Sequence, residues 1–242
     1  MAPDPYAWSW NPEALVLVPA LTAGYFGVLR RYPAPAWRRA CFLAAMALVL
    51  AVTITPVETI SLHYLLTVHL FQNVVLAEWA PALAVLGIPA ALAATLPHVP
   101  PIPALLLWVV NYMVWHLPWI YDAALRHPHS LLHLEHAAYF VTGLLLWWPV
   151  VHGRLSVGAK ALYVFAAFAL ASPIGLLLAL IPEPIYDFYV EPPGELWGLD
   201  PLLDQQLAGI AMSLAEAVVF FTAFAIFFAR FLREQDAGQT QG

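Results

Sequence analysis

The sequence predicts an all-α membrane protein: one bundle of seven transmembrane helices, with the N-terminus outside and the C-terminus cytoplasmic. Three observations lead there. Hydrophobic residues make up 62% of the 242 residues and charged residues only 10%, whereas a soluble domain carries about a quarter charged residues. Seven apolar stretches approach the ~20 residues a helix needs to cross the hydrocarbon core. Finally, Arg30, Arg31, Arg38, Arg39, Arg154, Lys160, Arg230 and Arg233 all flank the same end of the alternating stretches, leaving Arg126 alone at the other. The positive-inside rule places the basic end in the cytoplasm, and an odd number of spans fits.

The spans are expected near Glu13–Leu29, Ala40–Val57, Leu62–Gly87, Ile102–Pro118, His133–Val151, Ala159–Ile181 and Gln205–Ala229. The first and fourth are short and interrupted by Pro or Trp. Trp8 and Trp10 precede the first span as interfacial anchors. Met1–Pro12 carries Asp4 but no Lys or Arg, so no cleavable signal is expected there. Residues 1–233 form a single transmembrane domain, and 234–242 a short polar cytoplasmic tail. The net charge of −6 offers no footprint for nucleic acid. The single cysteine, Cys41, excludes an internal disulfide and a CxxC pair. The longest outer loop, Pro182–Leu203, holds Pro182, Pro184, Pro192, Pro193 and Pro201 among five acidic residues. Such a loop reads as a rigid, extended cap, either a solvated connector or an acidic docking surface.

Six of the nine histidines gather toward the outer side: His63, His69, His116, His129, His133 and His136. His129, His133 and His136 fall at i, i+4 and i+7, one stripe if the start of the fifth span is helical. His116 closes the fourth span, with Met113 one turn deeper. His69 lies inside the bilayer, where an ionisable residue marks a functional site by default. Imidazoles with Met113 or Met212 nearby and no cysteine suit copper best. The alternative is interhelical hydrogen bonding, which accounts for roughly half of these histidines. His98 and His152, on the inner side, are expected to be bystanders.

Other polar groups lie within the spans. Glu78 is deep, and a lone carboxylate there is neutral or paired. Glu216 sits near the middle of the seventh span with no evident partner. Both read as polar glue between helices or as parts of a proton path. Asp204 opens the seventh span, where capping its own helix suffices, an imidazole-orienting role being the sharper possibility. No GxGxxG, P-loop, HExxH or nucleophile–base pairing occurs, so no enzymatic activity is expected.

Four stretches, in order and spacing, resemble the CtaG family of cytochrome c oxidase assembly factors. They are His69-Leu-Phe-Gln-Asn73 continued by Ala80-Pro-Ala-Leu-Ala-Val-Leu-Gly-Ile-Pro89; His116-Leu-Pro-Trp-Ile-Tyr-Asp122; His133-Leu-Glu-His136 running on to Trp147-Trp148-Pro149; and Asp204-Gln-Gln-Leu-Ala-Gly-Ile-Ala-Met212. The likeness extends over nearly the whole chain, including an opening Trp10-Asn-Pro12. Asn73 departs from it, standing where the family commonly has a second histidine; asparagine is a poor copper ligand, so that ligand is lost or replaced. An unrelated single-span copper chaperone shares the family's name, so copper delivery is not inherited from the name.

The resemblance implies a multi-pass protein of the bacterial plasma membrane that helps assemble a haem–copper oxidase. Its partners would be an oxidase subunit and the lipid bilayer. Carried over residue by residue, the copper ligands would be His69, His116, His133 and His136, supported by Asn73, Met113, Asp204 and Met212. Two alternatives stand beside transient copper binding: a haem-binding electron carrier with paired axial histidines, and a cofactor-free scaffold for an oxidase subunit. The oligomeric state is left open.

Overall fold

The computed structural model describes residues 2–190 and 196–239, and every regular element among them is helical. Helix α1 (Pro12–Leu29) begins where the Asn11 side chain accepts the Ala14 N–H at 3.0 Å and Pro12 presets the first helical φ. It buries only Ala14, Val18 and Tyr25, and so lies at the rim of the bundle against α2 (Ala36–Ile54). Thr55 and Pro56 then break the chain into a short α3 (Pro56–His63).

The central element runs from α4 (Leu66–Val74) through a π-helical turn, Val75–Trp79, into α5 (Ala80–Gly87). Within this stretch 78% of the most apolar window is buried, against 11% in α1. The π turn shifts the helical hydrogen-bond ladder by one residue, with the Ala80 N–H donating to Val75 O. Ala77 O is then the acceptor for the Trp108 indole N–H at 3.4 Å. The end of α5 is capped from three directions. Arg38 donates to Leu86 O and Ile88 O at 2.7 and 2.9 Å, the Tyr25 hydroxyl donates to Gly87 O at 3.0 Å, and His152 Nε2 donates to Val85 O at 3.0 Å. His152, expected to be a bystander, therefore closes a helix end, and burial lowers its pKa.

After a single turn, α6 (Ala90–Ala93), the chain returns through α7 (Pro101–Trp115) and α8 (Pro118–Arg126). These two meet at 74°. Pro118 disfavours helical backbone at the residue before it, and Leu117 is accordingly extended, so α7 ends at His116. At 15 residues, α7 is about 22 Å long, short of the ~30 Å hydrocarbon core. A second π-helical segment, Pro128–Leu132, feeds α9 (His133–Val151), followed by α10 (Val157–Leu180), a single turn α11 (Asp187–Val190) and the 39-residue α12 (Pro201–Gln239). Among the described residues, six helical stretches are long and apolar enough to cross a membrane, and a seventh is reached only if the bent α7–α8 pair counts as one span.

Close helix approach comes from small residues, as packing within lipid requires. A Cβ on Gly175 of α10 would lie 2.8 Å from Gly209 O of α12, and one on Gly209 would lie 2.3 Å from Gly175 O. Gly143 lets α9 rest on the π turn, since a Cβ there would meet Ala77 O at 2.3 Å and Pro81 Cγ at 2.6 Å. The core between these contacts is aromatic, with Trp147 stacked on Phe220 at 5.6 Å and Trp108 set edge-on to the same ring at 5.8 Å.

Candidate functional site

Three of the histidines singled out from the sequence meet at one end of the bundle, opposite the Arg38 end. His69 of α4, His116 at the end of α7 and His136 of α9 are 0%, 7% and 9% exposed. The His69 and His136 ring centres are 6.2 Å apart, and the Tyr121 ring lies 5.3 Å from His69 and 6.1 Å from His116. Their neighbours fix the tautomers. Tyr189 donates its hydroxyl proton to Ser61 O, so it can only accept from His69 Nδ1–H at 3.1 Å. His116 Nδ1–H donates to Tyr112 O at 2.8 Å, with the Tyr139 hydroxyl 3.4 Å away. In both rings Nε2 keeps its lone pair. His69 Nε2, His116 Nε2 and His136 Nε2 are all buried without a hydrogen-bond partner.

Buried polar atoms without partners are uncommon, and three alike in one cluster call for an explanation. A backbone or hydroxyl acceptor on Nδ1 with Nε2 left free is the arrangement that prepares a histidine to bind a metal. The separation fits two rings sharing one ion: two bonds of about 2.0 Å plus two ring radii of about 1.1 Å span roughly 6.2 Å. Among the described residues, no three His, Cys, Asp or Glu side chains are grouped to hold one ion together.

His133 lies apart. Its Nδ1 is 3.7 Å from Glu13 Oε1 of α1, and its ring is 6.0 Å from His129. The helical stripe is real, but its three members face different neighbours. A crevice of about 300 Å³ between α1, α2 and α9 connects the two regions, with Glu13, His133 and His136 among its lining. Met113 is 37% exposed on the outside of α7, whereas Met212 is fully buried. His63, half-buried at the end of α3, has its pKa lowered by burial.

The roof comes from a segment whose composition suggested only a connector. Tyr186 stacks on Tyr121 at 4.2 Å and donates to His116 O at 3.1 Å. Asp122 secures this segment by accepting the Asp187 and Phe188 N–H groups at 3.2 and 3.0 Å. Gln205 accepts from Ile185 N–H at 2.8 Å and donates to Glu183 O at 3.1 Å. So the loop is neither wholly extended nor wholly solvated: α11 folds Tyr186 and Tyr189 inward. Glu191, Pro192, Pro193 and Glu195 of the expected acidic cap lie outside the described residues. The signal that could have found the roof is the pair of tyrosines three residues apart in an otherwise Pro-rich loop.

Asp204 does not cap its own helix. Asp200 does that, accepting the Leu202 and Leu203 N–H groups at 3.0 Å each. Asp204 reaches across to α4, accepting from Leu66 N–H at 2.7 Å, Thr67 N–H at 3.1 Å and the Thr67 hydroxyl at 2.7 Å. The first turn of α4 is thereby fixed one turn before His69. Asn73 donates to Glu135 at 3.1 Å, and Glu135, 1% exposed, is a buried carboxyl that the sequence reading passed over. Glu58, between the membrane stretches, accepts from Gln72; burial pushes its pKa up to about 7 against the downward pull of that amide.

These features define a multi-pass helical membrane protein built around a closed imidazole and tyrosine cluster. The chain belongs to the cytochrome c oxidase caa3 assembly factor family (Caa3_CtaG), whose family model matches residues 22–234. No curated protein and no solved structure gives a significant match.

Proposed function

We propose that this protein is a non-enzymatic assembly factor of the bacterial plasma membrane that binds copper transiently between His69 and His136 and supports its insertion into a haem–copper oxidase subunit. The observation that carries the reading is the trio of buried, partnerless Nε2 atoms on His69, His116 and His136. Family membership supplies the oxidase context. The basic residues argue for a cytoplasmic C-terminus and seven crossings, α7 and α8 counting as one bent span, which sets the cluster toward the outer face.

Two neutral imidazoles suit Cu(I) as cargo. A ligand set of two also favours release, which delivery needs. His116, with its free Nε2, is the candidate third donor during exchange, and Asn73 contributes by holding Glu135 rather than by ligation. The crevice past Glu13 and His133 offers a lateral way in and out between α1 and α9. Axial ligation of a haem is disfavoured, because the Tyr121 and Tyr189 rings lie 5.3 and 6.4 Å from His69.

The test is copper content and visible absorbance of detergent-purified protein after Cu(I) loading. Native protein should retain copper without a Soret band, His69→Ala and His136→Ala should lose it, and His133→Ala should retain it. Native protein without copper, or equal retention by all three variants, would move the function to a cofactor-free scaffold.

A further inference from the structure

A second buried polar site lies deeper in the bundle. Glu78 sits on the π-helical turn and Glu216 on α12, and both are 0% exposed. By helical rise Glu78 is about 18 Å past the start of α4, and Glu216 about 22 Å past the start of α12. Two further bonds clamp this level of the bundle. The Trp79 indole donates to Ala215 O at 3.0 Å, next to Glu216, and the Trp108 indole donates to Ala77 O, next to Glu78. Tyr112 of α7 donates its hydroxyl to Glu216 Oε1. Glu78 Oε1, Glu78 Oε2 and Glu216 Oε2 have no hydrogen-bond partner.

Among the described residues, no cation offsets these carboxyls. The groups that interact electrostatically with them are each other, Tyr112 of α7 and Tyr139 of α9. Two facing carboxylates cannot both keep their charge in a medium that solvates ions poorly, and neighbouring carboxyls of this kind characteristically share a proton. Simple interhelical glue would leave fewer oxygens idle. Three partnerless oxygens within one pair are acceptors for something that is not a protein group.

Tyr112 links the pair to the histidine cluster. Its hydroxyl touches Glu216, its carbonyl accepts His116 Nδ1–H, and its ring lies 4.6 Å from the His116 ring. A monovalent cation entering a closed cluster of neutral imidazoles brings an uncompensated charge into a poorly solvating interior. Through Tyr112, the carboxyl pair below is linked to that cluster and is able to offset the charge.

We propose that Glu78 and Glu216 form an intramembrane proton-binding site that is doubly protonated at rest and gives up one of its two protons when a monovalent metal ion enters the imidazole cluster. One of the two O–H bonds breaks, that proton leaves to bulk water, the other stays shared between the carboxyls, and the pair gains one negative charge as the cluster gains one positive. Copper enters and remains as Cu(I), so no electron moves. The proton site stands on its own geometry, whereas the exchange rests on the metal reading above.

The experiment is infrared spectroscopy of the full chain in lipid nanodiscs at neutral pH, with and without Cu(I), alongside a pH-indicator measurement of protons released. The native protein should show a protonated-carboxyl carbonyl band that shifts in D2O. That band should weaken in Glu78→Gln and in Glu216→Gln but not in Glu135→Gln, since Glu135 would contribute a separate component. Cu(I) should weaken the assigned component and release roughly one proton per ion, and Glu216→Gln should release none. If a Gln variant does not fold, 13C-labelled glutamate in native protein still reads the band and its weakening on loading. Absence of the band overturns the proton site. A band unchanged while copper is bound overturns the exchange alone. A band present in a protein that takes up no copper leaves the proton site standing and overturns the metal reading, and with it the exchange.

Discussion

Asp204→Ala removes a single carboxylate from α12, yet its cost should fall on α4. Leu66 N–H, Thr67 N–H and the Thr67 hydroxyl all lose their acceptor. Leu66 is 1% exposed, so water does not replace the lost oxygen there. A buried donor left unsatisfied costs about 1–3 kcal/mol, and losing a helix N-cap about 1 kcal/mol. The Thr67 hydroxyl still has Asp204 O within 3.0 Å as an alternative acceptor, so its loss adds little. We expect Asp204→Ala to destabilise by about 3 kcal/mol and Asp204→Asn, which keeps one acceptor oxygen, by about half as much. Reversible unfolding in mixed micelles measures both. Since α4 carries His69 one turn later, copper retention should fall in the same order. A loss below about 0.5 kcal/mol for the Ala variant, the scale of an ordinary surface change, would refute the cross-helix cap. An Asn variant as damaged as Ala would show that charge, not hydrogen bonding, does the holding.

Three other perturbations separate packing, titration and site support. Gly143→Ala places a methyl 2.3 Å from Ala77 O and 2.6 Å from Pro81, neither of which can yield, and should cost about 2–3 kcal/mol. Gly24→Ala, with nothing within 4 Å, should be neutral or slightly stabilising in the same melt. Glu58 has a folded pKa of about 7 against an ordinary 4.5, so its burial is uncharged-favouring: stability is full below pH 4.5 and declines as pH rises toward 7. The loss amounts to roughly 3 kcal/mol by linkage, and Glu58→Gln should flatten the profile between pH 5 and 8; an unchanged slope would rule Glu58 out as its source. Tyr189→Phe removes the hydroxyl that accepts His69 Nδ1–H, and should weaken Cu(I) binding by about 10–100-fold in a competition titration while leaving the fold intact. Unchanged affinity would mean that the roof does not orient His69.

Much of this protein is legible in one dimension, because the bilayer imposes its rules locally. A solvent that cannot hydrogen-bond the backbone forces helices. Apolar stretches therefore announce the six long apolar helices among the described residues, and the alternating arginines carry the expectation of their polarity. His69 stands out for a similar reason, since an ionisable side chain within such a stretch is costly to keep there, whereas His116, His133 and His136 stand out by their place at the outer ends of the spans and in the family's motifs. The first and fourth spans are the weakest in the sequence, and for the fourth the reason is Pro118: it bends α7 from α8 at 74°.

Which of the polar groups meet was decided only by the fold. The i, i+4, i+7 stripe of His129, His133 and His136 is a fact of helical spacing, but the packing of α1 draws His133 to Glu13, and the packing of α4 draws His136 to His69. Asp204 reads as a local cap because caps are usually local, and its real partners are 137 and 138 residues away. Glu78 and Glu216, solitary in the sequence, come to one level because the Trp79 indole binds Ala215 O of α12, and Gly143 lets α9 rest on the turn that carries Glu78. Helix formation follows from the chain's own residues and their solvent. Partners across helices depend on where side-chain volume is absent, and the sequence states that only as scattered glycines.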